Sequence, residues 1–447
     1  MHVRITKPIQ GGIVRAITSK SAAHRLLICA SLADSETFIT CPQRSQDIDA
    51  TIRCLQALGA TVNIKKDGIL ITPVNRQELL EDNVRELPWH KLDCGESGAT
   101  FRFLLPVCGA LGLNVSFEMS GRLPSRPLSA LYDEMTSHGC KLSKPGSSPL
   151  ECEGQLKNGT YTLPGNITSQ FISGLLFALP LLLEGESQII VTGILESRPY
   201  VDMTLDALRM FGITVHEEIS KAEEIIFRIP SGQIYHSPKT VHVEGDWSNS
   251  AFWLCAGAIG NGNKVGNDNK ISVTCTGLDL NSPQGDKAIT ELLSRFGANV
   301  ICENDSVTVS PGTLRGIEID AGDIPDLVPV LAAVAAAAEG KTVIRNAARL
   351  RMKESDRLQT VAACLSALGA DVTETEDGLV ITGKKILTGG ETQSYGDHRI
   401  AMTAAILSGV CENPVIIRDA QAVRKSYPAF FEDFRDVLGG EWEISGE

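Results

Sequence analysis

The sequence predicts an α/β protein with two domains of three repeats each, and three observations support this prediction. The chain has 447 residues, a length typical of two or three domains. A segment with helical apolar periodicity, a glycine and a short β-like run recur together six times. Hydrophobic residues make up 43% and charged residues 21% of the chain, so a disordered or collagen-like protein is excluded.

Six glycines mark the repeat. They are Gly59, Gly139, Gly212, Gly297, Gly369 and Gly439, and successive ones lie 70 to 85 residues apart. The largest interval, 85 residues, separates Gly212 from Gly297 and divides the repeats into three and three. Two three-repeat domains therefore fit better than one continuous solenoid. We expect the crossover near Tyr235–Thr240, where Ser237-Pro238 interrupts the pattern.

The segment before each glycine reads as an amphipathic helix, and the segment after it reads as a hairpin. In the first repeat Ile48, Ile52 and Leu55 recur at helical spacing. The glycine then supplies the left-handed backbone position at which many helices end. The pair Asp67-Gly68 predicts the tight turn of the hairpin that follows.

A second helix in each repeat opens with polar residues and then becomes almost wholly apolar. The six openings begin at Thr18, Gly95, Asn166, Gly245, Gly322 and Tyr395. A helix that is apolar on all sides is buried. Each repeat therefore reads as a unit with a buried helix, an amphipathic helix and strands that form an outer sheet.

The chain is acidic, with 41 Lys and Arg against 54 Asp and Glu and a net charge of −13. This balance disfavours general binding to nucleic acids or anionic membranes. The longest apolar stretches, Phe171–Leu183 and Leu327–Ala338, are shorter than the ~20 residues of a membrane helix. We expect a cytoplasmic monomer whose 12 scattered cysteines are reduced and hold no zinc.

Cations nonetheless collect at the starts of the predicted buried helices, where the helix dipole and the backbone N–H groups favour anions. Lys20 and Arg25 stand at one such start, and five charged residues lie between Arg351 and Arg357. The other candidates are Asp326, Arg399, the loop cations Arg126 and Lys425, and the hydrogen-bonding trio Thr168, Ser169 and Gln170. Taken singly, each motif also fits a helix cap or a solvated charged face, and the residues alone leave both interpretations open.

Together these motifs resemble those of the EPSP synthases, the 3-phosphoshikimate 1-carboxyvinyltransferases. The resemblance covers essentially the whole chain, and its most specific motifs are Ser19-Lys20-Ser21-x-x-x-Arg25, Lys353-Glu354-x-x-Arg357 and Asp397-His398-Arg399. It implies the enolpyruvyl transferase fold, in which three βαβαββ-type repeats form an inside-out α/β barrel with parallel buried helices and outer sheets. It also implies one domain of residues 20–238, another of residues 1–19 plus 239–447, and an active site in the interdomain cleft.

The resemblance further implies the reaction. The enolpyruvyl group of phosphoenolpyruvate moves to the 5-hydroxyl of shikimate 3-phosphate by addition and elimination, and phosphate is released on the route to chorismate and the aromatic amino acids. No cofactor and no metal are implied, because one acid–base pair can serve both steps. Asp326 matches the base at the 5-hydroxyl, Glu354 matches the acid that protonates the methylene carbon, and Lys20 is the alternative proton donor.

Two overlapping sets of substrate contacts are carried over from the family motifs. The shikimate 3-phosphate set is Lys20, Ser21, Arg25, Thr168, Ser169, Gln170, Ser197, Asp326 and Lys353. The phosphoenolpyruvate set is Lys20, Gly98, Arg126, Gln170, Arg357, Arg399 and Lys425.

Some positions depart from the family pattern, and two alternatives remain. Glu96 and Phe103 flank Gly98 in an unusual loop, and Arg349 stands where many relatives place a substrate-contacting asparagine, so it is left out of the site. A UDP-N-acetylglucosamine enolpyruvyl transferase shares the fold, but that family has Lys-Asn where this chain has Lys20-Ser21. A non-catalytic anion-binding protein of this fold would lack the acid–base residues Asp326 and Glu354, which are both present.

Overall fold

The computed structural model describes residues 1–75, 89–183, 185–261 and 271–445. These residues form two compact units, which we call the first unit (Lys20–Val243) and the second unit (Met1–Ser19 with Glu244–Glu447). The chain begins with two strands of the second unit, β1 (His2–Lys7) and β2 (Gly12–Arg15). Each unit has its own apolar core. Within the described ranges, no helix is both long enough and apolar enough to cross a membrane.

The first unit alternates helices and strands in the predicted repeat. Its helices are α1 (Lys20–Ser31), α2 (Gln46–Ala57), α3 (Gly98–Leu111), α4 (Ser129–Ser137), α5 (Ser169–Ala178) and α6 (Arg198–Met210). Its strands are β3 (Thr37–Thr40), β4 (Thr61–Lys65), β5 (Gly68–Thr72), β6 (His90–Gly95), β7 (Val115–Met119), β8 (Cys140–Leu142), β9 (Leu150–Gly154), β10 (Thr160–Pro164), β11 (Glu186–Thr192), β12 (His216–Ile219), β13 (Ile225–Pro230) and β14 (Thr240–His242).

Three four-stranded sheets form in the first unit, with the orders β14-β3-β5-β4, β6-β7-β9-β8 and β10-β11-β13-β12. In each sheet the first pair is parallel and the other two pairs are antiparallel. Helices α1, α3 and α5 are buried over most of their length. Helices α2, α4 and α6 bury only one face, as their apolar spacing predicts.

The second unit repeats the same plan. Its helices are α7 (Trp247–Ile259), α8 (Ile289–Phe296), α9 (Val328–Ala337), α10 (Arg357–Ala367), α11 (His398–Leu407) and α12 (Phe430–Asp436). Its further strands are β15 (Val273–Thr276), β16 (Asn299–Glu303), β17 (Ser306–Ser310), β18 (Glu318–Asp320), β19 (Lys341–Arg345), β20 (Asp371–Glu374), β21 (Leu379–Thr382), β22 (Gly390–Gln393), β23 (Val415–Arg418) and β24 (Glu441–Ser445). The buried helices are α7, α9 and α11.

The chain start completes two sheets of the second unit, whose orders are β16-β17-β15-β2, β18-β19-β21-β20 and β22-β23-β1-β24. Strand β2 lies parallel to β15, and β1 lies antiparallel between β23 and β24. Strand β14, the last strand of the first unit, lies parallel to β3 of the same unit, with Thr240 opposite Phe38. The family resemblance implied a boundary after residue 238, whereas the units divide after Val243 because β14 belongs to the sheet of β3.

The six repeat glycines all adopt positive φ, between +68° and +105°, at the ends of the amphipathic helices. This confirms the prediction that each supplies a left-handed cap, because a side chain is strained in this region and glycine is not. The glycines therefore fix where each amphipathic helix stops and the next strand begins.

Candidate active site

The predicted site residues of the first unit gather at the starts of its three buried helices. Lys20 is the first residue of α1, Gly98 is the first residue of α3, and Ser169 is the first residue of α5. The side chain of Ser97 caps α3, and the side chain of Thr168 caps α5 by accepting from the N–H of Gln170. Thr168 is thus partly accounted for as a helix cap.

Lys20 and Arg25 are held by partners on neighbouring helices. The Nζ atom of Lys20 lies 2.9 Å from Oδ2 of Asp47, in the first turn of α2. Arg25 is buried and donates from Nε to Thr204 Oγ1 at 2.9 Å and from Nη2 to the carbonyl of Tyr200 at 2.7 Å, both on α6. Its Nη1 donates to the carbonyl of Ser21 at 2.6 Å. Two predicted anion-binding cations therefore stand preoriented at the start of α1.

A second pair of cations surrounds Gly98. A Cβ atom built on Gly98 would lie 2.7 Å from Nη1 of Arg126 and 3.1 Å from Nη1 of Arg102, so both guanidinium groups lie against this backbone. Arg102 also donates from Nη1 to Gln170 Oε1 at 2.9 Å, which joins α3 to α5. The absence of a side chain at Gly98 thus lets Arg126 approach the N-terminus of α3. Sequence reasoning did not include Arg102 in the site.

Ser197 lies immediately before α6 and adopts a left-handed backbone with φ of 56°. It is buried, and the same helix carries Tyr200 and Thr204, which hold Arg25. The structure therefore brings Ser197 to the element that orients Arg25.

A buried hydrogen-bond chain, which the sequence did not reveal, runs beneath these helix starts. His24 Nδ1 lies 2.7 Å from Thr51 Oγ1, Thr51 Oγ1 lies 2.7 Å from Thr100 Oγ1, and Thr100 Oγ1 donates to Ser97 Oγ at 2.7 Å. Burial lowers the pKa of His24 to about 3, so this histidine is neutral at physiological pH. The chain joins α1, α2 and the cap of α3 through neutral groups.

In the second unit, the buried guanidinium of Arg357 contacts three carboxylates. Its Nη1 lies 2.7 Å from Asp326 Oδ1, its Nη2 lies 2.6 Å from Glu354 Oε2, and its Nε lies 2.7 Å from Asp397 Oδ2. Arg357 is the first residue of α10, and Asp397 caps α11. The predicted base and the predicted acid therefore share one cation, and Asp397, which sequence reasoning left without a role, holds that cation from the other side.

Asp326 faces a concentration of positive charge. Besides Arg357, it lies 3.7 Å from Lys353 Nζ and 3.3 Å from Arg399 Nη2, and its carbonyl accepts from Arg399 Nη1 at 2.9 Å. Burial by itself raises the pKa of this carboxyl, but Arg399, Lys353 and Arg357 together hold the pKa well below its usual value. Asp326 is therefore ionised at neutral pH and able to accept a proton.

Lys425 completes this group. It is buried at the end of the short 3-10 helix Ala420–Lys425, and its Nζ lies 4.0 Å from Glu354 Oε1. Lys353, Arg357, Arg399 and Lys425 thus surround Asp326, Glu354 and Asp397 within the second unit. Anionic groups of a substrate can replace these internal carboxylates as partners of the cations.

Two further residues occupy structural positions. Arg349, which the predicted site does not include, donates from Nη2 to the carbonyl of Gly322 at 2.6 Å. Gln284 accepts from Ser19 Oγ and from the N–H of Trp247, both at 3.2 Å, and so ties the chain start to α7. No sequence pattern pointed to Gln284, because its partners are 265 and 37 residues away.

Comparison with known proteins supplies the family. A sequence profile described as EPSP synthase (3-phosphoshikimate 1-carboxyvinyltransferase) matches residues 3–434. The chain is 43% identical over 439 residues to the 3-phosphoshikimate 1-carboxyvinyltransferase of Clostridium perfringens (strain SM101), covering 98% of each chain. It is 42% identical over 447 residues to the protein of the same name from Clostridium kluyveri, covering 99% of each.

Solved structures agree with these sequence relatives. An EPSP synthase from Acinetobacter baumannii aligns over 99% of both chains with a TM-score of 0.78 and 26% identity. The enolpyruvyl transferase NikO from Streptomyces tendae, at 19% identity and a TM-score of 0.72 over 99% of this chain and 98% of its own, shares the fold. The profile match and the near-full-length relatives lead to one conclusion: the chain belongs to the EPSP synthase family.

Proposed function

We propose that the chain transfers the enolpyruvyl group of phosphoenolpyruvate to the 5-hydroxyl of shikimate 3-phosphate and releases phosphate. The observation that carries this proposal is the arrangement around Arg357. Glu354 and the ionised Asp326 both contact its guanidinium, and the cations Lys353, Arg399 and Lys425 surround them. The two substrates bring two phosphates and two carboxylates, and such ligands need converging cations. The curated relatives at 42–43% identity carry the name of this activity.

The addition step uses one proton acceptor and one proton donor. Asp326 takes the proton of the 5-hydroxyl as that oxygen bonds to C2 of phosphoenolpyruvate. At the same time an acid gives a proton to C3, which becomes a methyl group, so the tetrahedral intermediate retains every atom of both substrates. We assign the acid to Glu354, with Lys20 as the alternative.

The elimination step reverses these proton transfers. The bond between C2 and the phosphate oxygen breaks, phosphate leaves with its electron pair, and the proton held by Asp326 passes to the departing phosphate, which restores the carboxylate. The deprotonated acid then removes a proton from the methyl group, which restores the C=C bond in the product. One acid–base pair therefore serves both steps, and the reaction needs no oxidant, no reductant and no further reactant.

The residues of the first unit bind and orient substrate in this proposal. Lys20, Ser21, Arg25, Thr168, Ser169, Gln170 and Ser197 are assigned to shikimate 3-phosphate, and Lys20, Gly98, Arg126 and Gln170 to phosphoenolpyruvate. In the second unit, Asp326 and Lys353 are assigned to shikimate 3-phosphate, and Arg357, Arg399 and Lys425 are assigned to phosphoenolpyruvate.

We also place the reaction in the cytoplasm, because all 12 cysteines are free thiols, as in a reducing compartment.

A phosphate-release assay tests the proposal. The purified chain is given phosphoenolpyruvate with shikimate 3-phosphate, with UDP-N-acetylglucosamine or with no acceptor. We expect phosphate and an enol ether product only with shikimate 3-phosphate. Release with the nucleotide sugar alone would assign the chain to the alternative transferase activity, and release with neither acceptor would refute transfer altogether.

A further inference from the structure

Among the six buried helices, α7 is the only one whose start carries no residue assigned to a substrate. Asp246 caps this helix by accepting from the N–H of Asn249 at 2.7 Å. The cap uses neither the hydroxyl of Ser248 nor the side-chain amide of Asn249. Both of these side chains contact segments that carry a cation assigned to phosphoenolpyruvate.

Ser248 contacts the guanidinium of Arg399. Its Oγ accepts from Nη2 of Arg399 at 2.7 Å, and Arg399 is 4% exposed. The other contacts of this guanidinium among the described residues go to Asp326, whose carbonyl accepts from Nη1 at 2.9 Å and whose Oδ2 lies 3.3 Å from Nη2. The carboxylate of Asp326 offsets part of the positive charge, whereas the hydroxyl of Ser248 is neutral. Ser248 therefore orients the cation and leaves its charge available to a substrate.

Asn249 contacts the segment that carries Lys425. Ser426 Oγ donates to Oδ1 of Asn249 at 3.2 Å, and both residues are 2% exposed. Breaking a hydrogen bond between two buried side chains is unfavourable, because each polar group is then left in the interior without a partner. The backbone next to Lys425 is therefore attached to α7.

A second contact, one helical turn further along α7, holds the same segment. Trp253 lies four residues after Asn249, so the two side chains are neighbours on one face of the helix. Nε1 of Trp253 donates to the hydroxyl of Tyr427 at 3.2 Å, and the two rings pack edge to face with their centroids 5.9 Å apart. Ser426 and Tyr427 are both held by α7, which restricts the backbone that carries Lys425.

We propose that Ser248 and Asn249 are positioning residues that hold Arg399 and Lys425 in the orientation that binds phosphoenolpyruvate. This inference rests on the proposed function, which assigns both cations to that substrate. The cations come from separate segments of the chain, and α7 contacts both segments through consecutive residues. A cation that is already oriented loses little conformational entropy when its anion binds, so the affinity for the anion is higher.

Ser248→Ala and Ser426→Ala test the two contacts separately. The first variant loses the hydroxyl that accepts from Arg399, and the second loses the hydroxyl that donates to Asn249. At saturating shikimate 3-phosphate, kcat/KM for phosphoenolpyruvate should fall about tenfold in each, because part of the binding free energy then goes into orienting the cation. At saturating phosphoenolpyruvate, kcat/KM for shikimate 3-phosphate should stay within about twofold of wild type.

Threonine variants and a neighbouring serine provide the controls. Ser248→Thr and Ser426→Thr keep the hydroxyl and should keep kcat/KM for phosphoenolpyruvate close to wild type. Ser250→Ala removes a buried hydroxyl from the same turn of α7, and this hydroxyl has no bond to Arg399 or Ser426 among the described residues. It should change kcat/KM for neither substrate. Circular dichroism verifies that each variant is folded.

Several outcomes would overturn the inference. An equal fall of kcat/KM for both substrates would make the two hydroxyls structural. An unchanged kcat/KM for phosphoenolpyruvate in either alanine variant would refute the role of the contact removed there, and threonine variants as impaired as the alanine variants would refute the role of the hydroxyl. If an alanine variant does not fold, the matching cysteine variant replaces it, because a thiol fills the space but is only a weak donor and acceptor.

The proposed function and this inference fail separately. A wild-type chain that releases no phosphate with shikimate 3-phosphate refutes the function. Calorimetric titration of the wild type, Ser248→Ala and Ser426→Ala with phosphoenolpyruvate then decides the positioning role by itself. Weaker binding by the alanine variants would support that role, and equal binding or no binding by all three proteins would refute it.

Discussion

Arg357 shows how one side chain couples the groups that carry the chemistry. It is 1% exposed and contacts Asp326, Glu354 and Asp397 together. Removing one partner from a buried ion pair usually destabilises a protein by about 3–5 kcal/mol, because the remaining charge is left without compensation. Substitutions in this cluster must therefore keep shape and hydrogen bonding if their effect is to be read as chemistry.

Glu354→Gln meets that requirement. The amide oxygen can still accept from Arg357 Nη2, which lies 2.6 Å from Glu354 Oε2, but the group no longer exchanges a proton. If Glu354 is the acid, kcat should fall about 10²–10⁴-fold with both substrates still bound. In D₂O the variant should also lose deuterium incorporation into the enolpyruvyl methylene.

Glu374→Gln is the control for this change. Glu374 pairs with Arg351 at 2.5 Å and has no bond to Arg357 among the described residues, so turnover should stay close to wild type. Near-normal turnover and deuterium incorporation in Glu354→Gln would contradict the assignment and move the acid role to Lys20.

Arg126→Lys tests the recognition of phosphoenolpyruvate in the first unit. The guanidinium lies against the backbone at Gly98, and a planar fork can bind a carboxylate or phosphate with two hydrogen bonds, which an ammonium cannot. We expect KM for phosphoenolpyruvate to rise about 10- to 100-fold while the affinity for shikimate 3-phosphate is kept. Arg122→Lys, in the same loop, is exposed and should change neither. Equal losses for both substrates would make Arg126 a structural residue.

Sequence analysis predicted those site residues that carry a local signal and missed those whose contacts are distant in the chain. Lys20, Gly98 and Ser169 were predicted to lie at helix starts because caps and apolar periodicity are local signals. Gln284 was missed because its partners come from distant segments. Asp397 was named only as part of the motif Asp397-His398-Arg399 and was given no role, although it holds Arg357, which lies 40 residues away. A contact between residues that are distant in the sequence cannot be inferred from a local sequence pattern.

At the scale of the element, α1 depends on a neutral histidine packed among hydroxyl groups. His24 is 1% exposed, and its Nε2 has no hydrogen-bond partner among the described residues. Protonation would place a charge in this buried site, so the native state keeps the ring neutral. The folded state therefore favours the neutral ring over the charged one.

Acid should consequently destabilise the first unit through His24. Burial lowers the pKa of the folded histidine to about 3, against about 6.5 when unfolded, so the unfolded state binds the proton first. The stabilising contribution is complete above pH 6.5 and is lost as the pH falls toward 3, by up to about 5 kcal/mol. Urea midpoints followed by circular dichroism between pH 4.5 and 7 measure the slope.

His24→Gln should flatten that slope, whatever its effect on stability at pH 7. His216→Gln, at an exposed position on β12, should leave the slope as in wild type. A slope in His24→Gln as steep as that of the wild-type chain would show that other groups cause the acid sensitivity.

The sequence predicted the helices and their ends better than it predicted which strands pair with one another. The helix ends at the repeat glycines are set by the local backbone and were confirmed by the positive φ values. Which sheet receives β1 is not a local matter, since Val3 pairs with Ile417 and Ile444. The family resemblance, rather than any residue pattern, implied that the chain start belongs with the second domain.

At the scale of the whole molecule, the connectivity makes the chain start part of the second unit. Strand β1 fills the third place in the sheet β22-β23-β1-β24, and without it neither β23 nor β24 would have its partner on that side. This order has a direct consequence for truncation, because an interior strand satisfies the backbone groups of two neighbours.

Deleting residues 1–7 should therefore destabilise the second unit selectively. The loss of β1 removes two antiparallel pairings and the buried side chains of Val3 and Ile5. Hydrogen exchange should rise first in β23 and β24, while the sheet β6-β7-β9-β8 of the first unit keeps its protection, since no strand of that sheet pairs with the chain start. Replacing the exposed Thr6 and Lys7 by alanine removes only polar side chains and should leave exchange unchanged. Uniform loss of protection across both units would mean that they unfold as one, and unchanged protection in β23 would mean that β1 contributes nothing to the sheet.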